Sequence, residues 1–113
     1  MLTRHMRELL IDQVQTGRTI TYNQLALDLG LTPPQTIHRV TEALEILMAE
    51  DVAAGRPLLA ALCISRLNHG LPARGFFAAA EMLGLFRGDP TGTEARAFYD
   101  QELQRALMFY SRS

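Results

Sequence analysis

Apolar side chains fall at Leu2, Met6, Leu9, Leu10 and Val14, mostly three or four residues apart, which predicts a helix with one buried face over residues 1–16. Gly17 ends that pattern, and Thr19-Ile20-Thr21 reads as a short extended piece. Thr21 can then cap a second helix, with Gln24 completing a capping box, and Gly30 suits the left-handed position that stops it after Leu29. Thr32 is the expected cap of a third helix, with Pro33 and Pro34 at its first positions and Gln35 closing another capping box. Two capped helices joined by so tight a turn predict a helix-turn-helix.

The third helix is expected over residues 33–51. At 100° per residue, Ile37, Val40, Leu44, Leu47 and Met48 form its buried stripe, while Gln35, His38, Arg39, Glu42, Ile46, Ala49 and Glu50 face outward. Its N-terminal half is the part suited to a groove of nucleic acid. Its C-terminal half carries Glu42, Glu45, Glu50 and Asp51, read here as a solvated acidic face. Outward Ile46 is apolar, which predicts packing under another helix or at a subunit contact.

Beyond Gly55-Arg56-Pro57 the apolar run Leu58 to Ser65 is short and bounded by turn residues, as a strand would be. Arg66 to Gly70 then reads as a hairpin tip, with Pro72 placing the returning strand at an edge. Residues 76–85 predict a short helix, Arg87 to Gly92 a loop, and Thr93 the cap of a last helix. That helix carries Ala95, Phe98, Tyr99, Leu103, Ala106, Leu107 and Tyr110 as its apolar residues. The expected fold is mainly α with a small β wing: a winged helix-turn-helix plus C-terminal helices. It forms a single domain over 1–113, with an N-terminal helix at 1–16, the helix-turn-helix and wing at 17–77, and C-terminal helices at 78–113.

Composition changes this picture in one respect. The net charge is -1, and between Thr16 and Phe76 five arginines face five acids, so no bulk basic excess marks a nucleic-acid surface. All eleven basic residues are arginine, which suits phosphate and guanine contacts better than lysine. The single cysteine, Cys63, excludes an internal disulfide and fits a reducing, cytoplasmic setting. No apolar run approaches the ~20 residues of a membrane span, and the first residues lack signal-peptide form.

Gly-Arg-Thr-Ile-Thr-Tyr-Asn-Gln-Leu-Ala at Gly17–Ala26, with Pro57-Leu-Leu and Gly75-Phe76 further on, resembles the DNA-binding domain of the alkylguanine-DNA alkyltransferases. The resemblance covers about half the chain and implies a second motif helix that enters the minor groove, led by an arginine that intrudes into the base stack. Matching Val40, Ala43 and Leu44 to that helix puts His38 at the arginine's place, with Arg39 next to it. The family's reactive Pro-Cys-His-Arg is replaced by Leu62-Cys63-Ile64-Ser65-Arg66. A thiol between leucine and isoleucine has no cationic neighbour to make it a thiolate, so Cys63 reads as a small core residue. The cysteine-less alkyltransferase-like proteins, which bind DNA without repairing it, offer the nearer analogy.

The expected function is therefore a non-enzymatic DNA binder, with no catalytic, metal or cofactor-binding residues. Its candidate DNA-contacting residues are Arg18, Gln35, His38, Arg39, Arg66, His69 and Arg74. His5, His38 and His69 lack metal-ligand spacing. The alternative is that the same fold grips a protein partner, for which exposed Ile46 and the neutral charge speak. The aromatic residues of the last helix, Phe98, Tyr99, Phe109 and Tyr110, offer a homodimer contact.

Overall fold

The computed structural model describes residues 2–111. The expected spans 1–16 and 78–113 also include Met1, Arg112 and Ser113, which lie outside the described residues. The chain is mainly helical, with a two-stranded parallel sheet. In order run α1 (Leu2–Thr16), β1 (Ile20–Thr21), α2 (Tyr22–Asp28), α3 (Thr36–Ala53), a 3-10 turn (Leu59–Leu62), β2 (Cys63–Ile64), a second 3-10 turn (Arg66–Asn68), α4 (Arg74–Met82) and α5 (Thr93–Phe109).

The 58–63 segment is the centre of the molecule. Every side chain from Leu58 to Cys63 is buried, and α1, α3 and α5 all pack against this segment. Each buried leucine there contributes about 1.5–3 kcal/mol through the apolar surface it removes from water. A second cluster of Phe76, Phe77, Phe86, Phe98 and Tyr99 fastens α4 to α5, with Phe76 and Phe77 edge to face at 5.2 Å.

Several local expectations hold. The Thr21 hydroxyl accepts from Gln24 N at 3.1 Å and caps α2, and Gly30 takes the left-handed φ of 73° that ends it. The Gln24 side chain turns instead to Asp28, at 2.8 Å, so the capping box is only half made. Others are corrected. Helix α3 starts three residues late, at Thr36, with Gln35 at its N-cap in a left-handed conformation and no side-chain cap. Residues that precede a proline disfavour the helical region, and both Thr32 and Pro33 do so. Ile37 consequently lies at the frayed start of α3 and is 40% exposed instead of buried. Gly92, not Thr93, occupies the N-cap of α5.

The run expected to be a strand over 58–65 holds a 3-10 turn at Leu59–Leu62, and its strand is limited to Cys63 and Ile64. Buried carboxylates explain the difference. Leu58 N donates to Glu102 Oε2 and Leu59 N to Asp51 Oδ2, both at 3.1 Å, so the backbone finds side-chain acceptors where a strand would need a neighbour. The returning strand of the hairpin does not form among the described residues. β2 pairs in parallel with β1, Ile20 opposite Cys63 and Thr21 opposite Ile64, and the chain after His69 leads into α4. The aromatic residues of α5 are also largely spoken for. Tyr99 is buried and Phe98 and Tyr110 half-buried, leaving Met108 and Phe109 exposed near the end of the helix.

Candidate nucleic-acid interface

Helix α2 is short, and the 29–35 turn leads from it into α3, which packs against it. Val40, Ala43, Leu44, Leu47 and Met48 fix α3 to the core. The complementary face of its N-terminal half, with Gln35, His38 and Arg39, is therefore exposed. His38 Nε2 lies 3.5 Å from Glu42 Oε1, and Arg39 Nη1 reaches the Thr32 carbonyl at 3.4 Å. Both contacts are solvent-exposed and weak.

A groove of about 210 Å³ runs along one flank of this half-helix. Ile37 and Thr41 form its α3 wall; Thr21, Asn23, Ser65 and Arg66 bring polar groups from the sheet and the second 3-10 turn. Parallel pairing of β1 with β2 creates this juxtaposition, because it sets the start of α2 beside Ser65 and Arg66. The 65–71 turn is well held. Ser65 Oγ accepts from Leu67 N at 3.3 Å, Ser65 N donates to the Leu71 carbonyl at 2.8 Å, and Asn68 Nδ2 donates to the Pro72 carbonyl at 2.7 Å. The Tyr22 hydroxyl forms the rear of the groove and accepts from Ala73 N at 3.0 Å.

The structure thus sets three of the seven candidate residues on one helix head and a fourth across the groove from that helix. Gln35, His38 and Arg39 share the head of α3, and Arg66 stands across the groove from it. Arg39 lies on the opposite flank of α3 from Arg66 and lines a different concavity, with Leu2 and Thr3 of α1. The other three stand apart. Arg18 sits in the loop between α1 and β1, its carbonyl accepting from Gln13 Nε2 at 2.9 Å. The exposed His69 takes a left-handed φ of 55°, and its carbonyl is held by Arg96 Nη2 at 2.6 Å. Arg74 opens α4 and borders a concavity made with Phe77, Phe86 and Pro90, close enough to Asp89 to help draw that carboxyl below its ordinary range. The larger causes there are the hydrogen bonds from the Thr91 hydroxyl and backbone N–H. Thr21, Asn23, Thr41 and Ser65 were missed in the sequence, where isolated polar residues carry no signal of a shared wall.

Asp51 is not part of a solvated acidic face. It is fully buried, and its Oδ1 accepts from Arg7 Nη1 at 2.7 Å, Arg56 Nε at 3.1 Å and the Tyr110 hydroxyl at 3.4 Å. Burial alone would lower the Arg7 pKa; hydrogen bonds to Asp51 and Glu50 outweigh it and raise it. Cys63 is completely buried, and that burial pushes its thiol well above the ordinary range. Among the described residues no group of three or more histidine, cysteine or carboxylate side chains is placed to hold a metal ion. None of the helices is long and apolar enough to cross a membrane.

No family model, no curated protein and no solved structure matches the chain.

Proposed function

We propose that α2, its following turn and α3 act as a helix-turn-helix and that the chain binds double-stranded DNA without enzymatic activity. The observation that carries this reading is the head of α3: Gln35, His38 and Arg39 are exposed there, and Arg66 stands across the adjoining groove. A helix presented in this way can enter a groove of the duplex, its N-terminal residues at base edges. Arg39 and Arg66, one on each flank, are then placed for the two phosphate strands that border that groove. The acidic Glu45 and Glu50 belong to the other half of the helix and stay away from the duplex. The resemblance of Gly17–Ala26 to the alkyltransferase DNA-binding domain points the same way. The buried thiol of Cys63, pushed toward its protonated form, supports binding without alkyl transfer.

The test is fluorescence anisotropy with a labelled generic duplex, titrated at low and moderate salt. Affinity should fall steeply with salt, and Arg66→Ala should reduce the slope by about 0.9, the share of one phosphate contact. Absence of binding at low salt overturns the reading. A protein partner is the second reading, favoured by the half-exposed Ile46 in the concavity on the α1 flank of α3.

A further inference from the structure

A concavity of about 590 Å³ lies between α1 and α3. Leu2, Ala43 and Ile46 give it an apolar floor, and Ile46 is 50% exposed in the middle of α3. Its charged rim carries Arg39 and Glu42 toward the start of α3 and Glu50 toward the finish. We propose that this groove is where two copies of the chain associate, their α3 helices packed antiparallel about a two-fold axis.

The sequence of α3 is matched to that symmetry. The helix spans Thr36–Ala53, so its midpoint falls between Leu44 and Glu45. A two-fold axis there sets Arg39 opposite the partner's Glu50 and Ala43 opposite the partner's Ile46, and each pairing occurs twice. Arg39, Ala43, Ile46 and Glu50 follow one another at steps of four, three and four, so they form one stripe along the helix. Ala43 leaves a notch in that stripe, and Ile46 is the ridge that fills it in the other copy. A parallel arrangement would instead put Arg39 against Arg39. A uniformly basic peptide would meet Arg39, and a uniformly acidic one Glu42 and Glu50; a rim of mixed charge, in which Arg39 and Glu50 are symmetric about the helix midpoint, favours a second copy. Arg7 pairs with Glu50 at 3.0 Å, and the Arg39 side chain makes a long contact, 3.4 Å, to the Thr32 carbonyl among the described residues.

Self-association of this kind does not require a duplex. It occupies Arg39 and crowds the head of α3, so a bound duplex and the second copy would exclude each other. Sedimentation equilibrium of the full chain, without nucleic acid, tests it over a range of concentrations. A reversible monomer–dimer equilibrium is expected. Ile46→Asp should remove it; because this side chain is half-exposed, the variant's circular-dichroism melt should match the parent's. Arg39→Glu and Glu50→Arg should each raise the dimer dissociation constant ~10-fold or more, since each sets like charges opposite one another twice. An equimolar mixture of the two charge reversals should dimerise again, because every pair across the axis is then of opposite sign. The proposal is overturned by a chain that stays monomeric at all concentrations. It is also overturned by a dimer that survives Ile46→Asp, or by a mixture that associates no better than its components.

Discussion

The two ends of α3 treat charged side chains in opposite ways. At the C-terminal end Asp51 is sealed from water and accepts from Arg7, Arg56, Leu59 N and the Tyr110 hydroxyl, tying α1, α3, the central segment and the chain just past α5 to one carboxylate. Glu102 repeats the device from α5, accepting from Leu58 N on one oxygen and from Arg105 on the other. At the N-terminal end Gln35, His38 and Arg39 stand in solvent with one weak contact each or none among the hydrogen bonds seen. A buried charge must be compensated by the fold, and so becomes part of it. An exposed charge with loose partners costs the fold almost nothing and is free for another molecule. The first region stabilises the chain; the second is where the proposed activity lies.

The largest break in this contrast is Asp51→Ala. It strands the buried face of Arg7 and leaves Leu59 N without an acceptor, and breaking such a buried pair costs about 3–5 kcal/mol. Urea unfolding measures it. A loss below about 1 kcal/mol would mean that Asp51 is no more embedded than its neighbour Glu50, and the contrast would fail.

Alkaline pH gives a smaller effect. Burial, with minor help from Asp100, pushes the Tyr99 hydroxyl up to about 12, and its oxygen is buried without a hydrogen-bond partner. Burial likewise raises Tyr22 and Cys63. In the unfolded chain a thiol titrates near 8.5 and a phenol near 10. Above those values the unfolded state binds fewer protons than the folded one, so stability must fall as pH rises. Each such phenol contributes about 1.4 kcal/mol per pH unit until its folded value is passed. The urea midpoint followed from pH 8 to 11 should therefore decline, and Tyr99→Phe should decline less steeply. A flat profile would show that these groups are hydrated. The same burial predicts that Cys63 reacts with a disulfide reagent only as fast as the chain opens, which a comparison of native and urea-unfolded labelling rates checks.

Much of this contrast could not be read in the sequence. The helices were legible because their apolar spacing reports burial directly: Met6, Leu10 and Val14, or Val40, Leu44 and Leu47, are core in the sequence and in the structure. The Thr21 cap was legible because a local hydrogen bond needs only local residues. Asp51 was misread because its partners lie 44 and 59 residues away at Arg7 and Tyr110, and a carboxylate beside Glu50 looks like one more surface acid. The run 58–65 reads as a strand in the sequence, and Leu59–Leu62 forms a 3-10 turn, because a wholly buried apolar run has no period to distinguish the two. The groove is only half visible in the sequence: Arg66 stands out as a charge, while Thr21, Asn23 and Thr41 acquire meaning once β1 and β2 are seen to pair.

The smallest expected effect sharpens the contrast from the other side. His38→Ala and Arg66→Ala each remove an exposed side chain, the first with a long pairing to Glu42 and the second with no ion pair among the described residues. Exposed substitutions of this kind change stability by about 0.5 kcal/mol or less. Their urea midpoints should coincide with that of the parent chain, while Arg66→Ala lowers duplex affinity at low salt. That combination separates a residue kept for a partner from one kept for the fold. If Arg66→Ala instead destabilises the chain by as much as Asp51→Ala, Arg66 is structural, and the wall of the groove that it forms has to be reassigned to the core.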